Sequence, residues 1–199
     1  EKEIKESELG ELKNGVYDYR VVINAIRNTG GITVLAHPFI YGQNFNEEII
    51  QAVDGIECYN ARAVGKHRDI NINAAYIAKK YNKLFTGGSD AHLPQEIGNG
   101  VLELDLEEKS IKALKSALLT GRVNISGNES PLIYGGISQI QKQFKLKTYK
   151  KLPRKIAALI LFFILDIFKF IGLIHRDKGS ITIREGELNV CNSQNRKKD

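Results

Sequence analysis

The first 120 residues alternate between two hydrophobic periods, and that alternation limits the fold more than any other feature of the chain. Val21, Val22, Ala25 and Ile26 recur at helical spacing within residues 18–29. Gly30-Gly31 then stops the helix, because glycine takes the left-handed capping position without a Cβ penalty. Ile32, Val34 and Leu35 read as a short strand that Pro38 ends. Asn46 is placed to cap a helix over 47–53. GIECYN, 55–60, is the next strand after the Asp54-Gly55 turn. A second helix is predicted over 67–81, where Ile70, Ala74, Ile77, Ala78 and Tyr81 fall at steps of three and four. LFTGGSD and VLELDL supply two further strands, and 107–119 a helix carrying Ile111, Leu114, Ala117 and Leu118, capped by Gly121. Helix–strand alternation of this kind predicts an α/β architecture with a parallel sheet, a barrel or part of one.

In parallel α/β folds the chemistry lies at the C-terminal ends of the strands. The polar residues of this chain follow that rule. His37 comes after VLA, Asn60 after IECY, and Asp90 and His92 after LFTGGS. A borderline divalent cation takes imidazole nitrogen and carboxylate oxygen at about 2.0–2.2 Å. Asp90-x-His92 offers both, from positions i and i+2 that point the same way where the backbone is extended, after two glycines that permit a tight turn. His37, at a different strand end and with its following backbone fixed by Pro38, is the natural third donor. The competing reading is an Asx turn beside a surface histidine.

These elements taken together resemble the PHP family, the polymerase and histidinol phosphatase superfamily of metal-dependent phosphoesterases. VLAHPF, GIECYNAR, a helix with Asn73 and Ala74, and TGGSDAHLPQEIG carry the resemblance, which runs from about Val21 to Gly121. It implies the C-terminal half of a distorted (β/α)7 barrel, with two or three zinc, manganese or iron ions at the strand ends of the complete site. It also implies His37, Asp90 and His92 as catalytic metal ligands. Glu57 and Asn60 would shape the floor of the site, and Arg62 would hold a substrate phosphate through two parallel hydrogen bonds; a solvated loop arginine is the alternative for Arg62. His67 reads as a surface residue at a helix start, and His175 has no assigned role. The implied chemistry is hydrolysis of a phosphoester by metal-activated water. The substrate would be a small phosphorylated metabolite, a nucleotide or an oligonucleotide end.

One part of the family pattern is missing. The opening His-x-His pair has no counterpart, and no histidine precedes His37. The chain, which also contains no methionine, is therefore expected to be incomplete and weak or inactive alone. The other functional class that remains is a non-catalytic, degenerate PHP-like binding module, with 150–174 as the segment that would tether it to a membrane.

Composition bears on the location and on the tail. Two widely separated cysteines, Cys58 and Cys191, exclude a disulfide framework and fit a reducing, cytoplasmic setting. The charged, polar start is no signal peptide. The net charge is +6, yet residues 141–178 alone carry ten Lys or Arg against Asp166 and Asp177, so the front of the chain is no basic nucleic-acid domain. Accordingly the chain divides at about 125. Residues 1–125 are the barrel part, and 126–199 a basic linker, an apolar helix and a short hairpin and tail. NISGNESPLIYGG reads as loop, and ITIREGELNV as the hairpin. Of the 19 residues 156–174, 17 are apolar or glycine. Three readings stay open for that stretch: a helix packed on the barrel, a helix lying on an anionic membrane surface, or a membrane span. The lysines before it also suit contact with a nucleic-acid backbone.

Overall fold

The computed structural model describes residues 3–40, 42, 45–63, 69–120, 123–173, 178–184 and 187–192, with backbone alone for 120, 178–184 and 187–192. The predicted alternation is present. Helix α1 (Tyr19–Asn28) is capped by Asp18, whose carboxylate accepts the Arg20 amide at 2.8 Å. Strand β1 (Val34–Leu35) follows, then α2 (Glu47–Ala52), β2 (Gly55–Asn60), α3 (Ile70–Lys80) and β3 (Leu84–Gly88). Asn46 caps α2 as expected, accepting the Glu48 amide at 2.9 Å. The predicted start of α3 at residue 67 and the Gly121 cap lie outside the described residues.

Strands β1, β2 and β3 form a parallel sheet in that order. The edge at which these strands begin is fastened by Asp54. Its carboxylate accepts the Thr33 amide (2.8 Å), the Thr33 hydroxyl (2.6 Å) and the Arg27 guanidinium (2.9 Å). Burial alone would raise this carboxyl, but the Thr33 hydrogen bonds and Arg27 outweigh it and hold it below the usual aspartate value. Lys83 closes the same edge by donating to the carbonyls of Gln51 and Val53 at 2.8 and 2.7 Å. The core lies between β2 and α3. Ala74, Ala75 and Ala78 are fully buried and small enough to bring the helix close to Ile56, Cys58 and Tyr59.

Beyond β3 the architecture departs from the expected barrel. Strand β4 (Gly100–Leu104) does not extend the parallel sheet. It pairs antiparallel with β5 (Val123–Asn128), after helix α4 (Ile111–Thr120). A four-stranded antiparallel sheet results, β4-β5-β6-β7, completed by the predicted hairpin of β6 (Lys178–Arg184) and β7 (Glu187–Asn192). Among the described residues the two sheets do not close into a (β/α)7 barrel.

The stretch read as loop, NISGNESPLIYGG, is β5 followed by the start of α5 (Leu132–Lys145). Gly136, at the end of that stretch, serves close packing. A Cβ there would lie 2.7 Å from Leu159 Cδ1 and 3.2 Å from Leu159 Cα of helix α6 (Leu152–Phe170). The basic segment between them turns the chain, so that α5 and α6 form a packed helical hairpin. No helix among the described residues is long and apolar enough to cross a membrane, which removes the spanning reading.

Candidate metal and phosphate site

Parallel pairing sends the C-terminal ends of β1, β2 and β3 to one edge of their sheet. Each candidate residue leaves from that edge. His37 lies two residues after β1, and Asp90 two residues after β3. Both take left-handed backbone, with φ of 30° and 49°. This is uncommon for residues with a side chain and is found where surrounding structure holds functional groups in place.

The hydrogen bonds that hold these turns run through β2. Glu57 Oε2 accepts the His37 amide at 2.8 Å and the Asn60 side-chain amide at 3.0 Å. The register of β2 against β3 slips between Glu57 and Tyr59, a bulge that re-aims the strand where it reaches the site. Asn60 is buried. Its side-chain oxygen accepts the Arg62 and Ala63 amides at 3.0 and 2.9 Å, and its backbone amide donates to Asn71 Oδ1 at 3.0 Å.

Asp90 and His92 sit in the loop between β3 and β4. Ser89 ties that loop shut, because its hydroxyl accepts the Gly98 and Gly100 amides, each at 3.0 Å. The carboxylate and imidazole converge, with Asp90 Oδ1 3.5 Å from His92 Nε2. Their side chains are 23% and 52% exposed, so the pair opens to solvent.

A buried carboxylate that the sequence reading passed over fixes the position of His92. Glu96 ends a 3-10 turn, Pro94–Glu96, and is completely buried. Its Oε2 accepts the amides of His92 and Leu93, both at 3.0 Å. Its Oε1 lies 2.7 Å from Arg62 Nε, and Arg62 also donates to the Ser138 hydroxyl at 2.9 Å. Arg62 is 13% exposed, and its guanidinium joins the end of β2, the Pro94–Glu96 turn and α5. The signal for Glu96 was present in Pro94-Gln95-Glu96, a proline at the first turn position with an acid two residues on. Its burial depends on Arg62, 34 residues earlier.

As a metal site these residues satisfy one requirement and miss another. Two ligand atoms on one tetrahedral ion at about 2.0–2.2 Å lie about 3.3–3.6 Å apart, so the Asp90–His92 pair fits in donor type and spacing. Their number does not suffice. Among the described residues no three His, Cys, Asp or Glu side chains are grouped so as to hold an ion. The strands also end at different levels. β1 stops level with Ile56, whereas β2 and β3 run on to Asn60 and Gly88. His37 therefore leaves the sheet beside Glu57, and Asp90 leaves it further along. His67 and His175 lie outside the described residues.

Cys58 is no alternative nucleophile. It is fully buried, its thiol donates to the Ile56 carbonyl at 3.3 Å, and burial pushes its pKa far above the ordinary thiol value.

Residues 70–123 match the family model PHP_C, described as PHP-associated. The match covers α3, β3, the loop bearing Asp90 and His92, β4, α4 and the first residue of β5. It supports the placement of this chain in the C-terminal region of the PHP superfamily. No curated protein and no solved structure matched the chain.

Proposed function

We propose that this chain is the C-terminal part of a PHP-type phosphoesterase domain, and that Asp90 and His92 bind a divalent ion used in phosphoester hydrolysis. One observation carries the reading: the convergence of Asp90 Oδ1 and His92 Nε2 to 3.5 Å at the C-terminal end of a parallel strand. The PHP-associated match over the same loop supports it. Zinc, manganese or iron, when bound, would lower the pKa of a water molecule and offset charge on the phosphoryl oxygens. Further donors are required, and His37, at the end of β1 on the far side of β2, is the candidate this sheet offers.

The residues of this chain have distinct tasks in that reading. Asp90 and His92 donate to the ion. Glu57 holds the His37 turn, and Glu96 holds the His92 turn through backbone amides. Asn60 and Arg62 support the site from below, since Asn60 is buried and Arg62 is engaged with Glu96 and Ser138. The substrate class is a phosphorylated metabolite, a nucleotide or an oligonucleotide end.

The test is metal analysis and hydrolysis of model phosphomonoesters and phosphodiesters by the complete protein, with and without His92→Ala. Reduced metal occupancy together with lost hydrolysis is the expected result. Full activity in the variant removes Asp90 and His92 from the chemistry. Absence of both metal and hydrolysis in the unaltered protein favours a non-catalytic PHP-like binding module.

A further inference from the structure

Helix α6 is amphipathic in the reverse sense. The side chains it turns toward α5 and the β5–α5 connection include both of its mid-helix charges. Asp166 accepts the Leu132 and Ile133 amides at 3.0 and 2.8 Å, which caps the N-terminus of α5 from a neighbouring helix. Lys169 forms a buried ion pair with Glu129. Lys155, on the same face one turn before Leu159, donates to Gln139 at 3.2 Å. Positions 155, 159, 162, 166 and 169 follow a helical stripe, so the inward side is where the polar groups are satisfied.

The outward side holds the apolar residues. Ile156, Ile160, Phe163, Ile167 and Phe170 form the next stripe round the helix, and Ile164 and Ile171 flank it. Between Ile156 and Leu173, ten large apolar side chains expose 39–82% of their surface. No charged side chain of α6 after Arg154 shares this face. A helix on a globular surface normally presents the opposite pattern, and a monomer seldom exposes a contiguous apolar patch of more than roughly a few hundred Å².

What adjoins the patch identifies its occupant. The α5–α6 junction, from the last turn of α5 to the first turn of α6, carries Lys142, Lys145, Lys147, Lys150, Lys151, Arg154 and Lys155 with no acidic residue between them. All are exposed except Lys155. Phe144, at the end of α5, and Tyr149 project from the same junction, each more than half exposed, and pack edge to face at 5.9 Å. Exposed aliphatic and aromatic side chains beside a cluster of cations suit the boundary of an anionic bilayer.

We propose that α6 lies in the plane of an anionic lipid surface. Its outward face enters the headgroup–acyl boundary, while the basic α5–α6 turn binds the headgroup charge. The helix does not cross the bilayer, consistent with its length and its two inward charges. This inference is independent of the phosphoesterase reading.

The test is flotation of the full chain with phosphatidylcholine vesicles, with and without phosphatidylserine. Binding is expected only with phosphatidylserine and is expected to weaken as salt rises. Two variant pairs divide the contributions, and both alter exposed side chains, so folding is retained. Lys150→Glu with Lys151→Glu is expected to reduce binding at least about tenfold. Ile160→Gln with Ile164→Gln is expected to abolish flotation. Equal binding to both vesicle types, or no effect of the isoleucine pair, overturns the proposal. So does a lipid-free dimer dissolved by the isoleucine pair in a chain that floats with neither vesicle. Duplex DNA binding that depends on the lysines, without flotation, also overturns it.

Discussion

Removal of the Glu96 charge offers the most direct examination of how the Asp90–His92 loop is held. Glu96→Gln preserves shape and leaves an oxygen able to accept the His92 or Leu93 amide. It removes the ion pair with Arg62 and turns a donor toward a guanidinium that is 13% exposed. Breaking a buried ion pair on one side costs about 3–5 kcal/mol, because the remaining charge is left buried without a partner. Partial exposure of Arg62 puts the expected loss at the lower end, about 3 kcal/mol. Urea unfolding measures it. Arg62→Met combined with Glu96→Gln should restore part of the loss, since no lone charge remains, giving a coupling of more than about 1 kcal/mol. Hydrogen exchange supplies the local readout, with the His92 and Leu93 amides losing protection before those of β2. A loss below about 1 kcal/mol for Glu96→Gln, or additivity within about 0.5 kcal/mol, would refute the claim that this pair organises the loop.

Three further perturbations probe other parts of the chain. Asp54 has a depressed carboxyl pKa when folded, so its stabilisation is complete above the unfolded aspartate value of about 3.9 and is lost as pH falls through the folded value. The stability gap between the unaltered chain and Asp54→Asn should therefore be widest above about pH 5 and narrow on acidification, as followed by urea midpoints against pH. Gly100→Ala places a Cβ against the Gly88 carbonyl and 3.1 Å from the Ser89 amide nitrogen. Backbone on both sides cannot swing away, so a loss of about 1–3 kcal/mol is expected, with altered amide shifts at Asp90. Asp166→Ala removes the carboxylate that caps α5 and should lower stability by about 0.5–2 kcal/mol, with Asp166→Asn closer to the unaltered chain. Circular dichroism on thermal unfolding distinguishes the two variants.

The sequence by itself determined what local chemistry determines. Apolar spacing marked α1, α3 and α4. Asn46 announced α2 by the hydrogen bonds its short side chain makes two and three residues on. Strand runs followed by His37, Asn60 and Asp90 located the candidate site at one sheet edge, because parallel pairing leaves little choice of edge. Tertiary structure decided whatever depends on a partner far along the chain. β4 pairs with β5 in an antiparallel sheet, and nothing within VLEL specifies which neighbour completes its ladder. The stretch ending at Gly136 reads as loop until Leu159 packs against that glycine. Glu96 is an ordinary loop acid until Arg62 buries with it. Asp166 and Lys169 are spaced i and i+3, as a pair along one helix would be. Each instead finds a partner more than 30 residues earlier, at the start of α5 and at Glu129, and those contacts turn the charges inward and leave the apolar face of α6 outside. Short-range periodicity fixes which side of a helix is apolar, and only the long-range pairing of its charges fixes which side faces the protein.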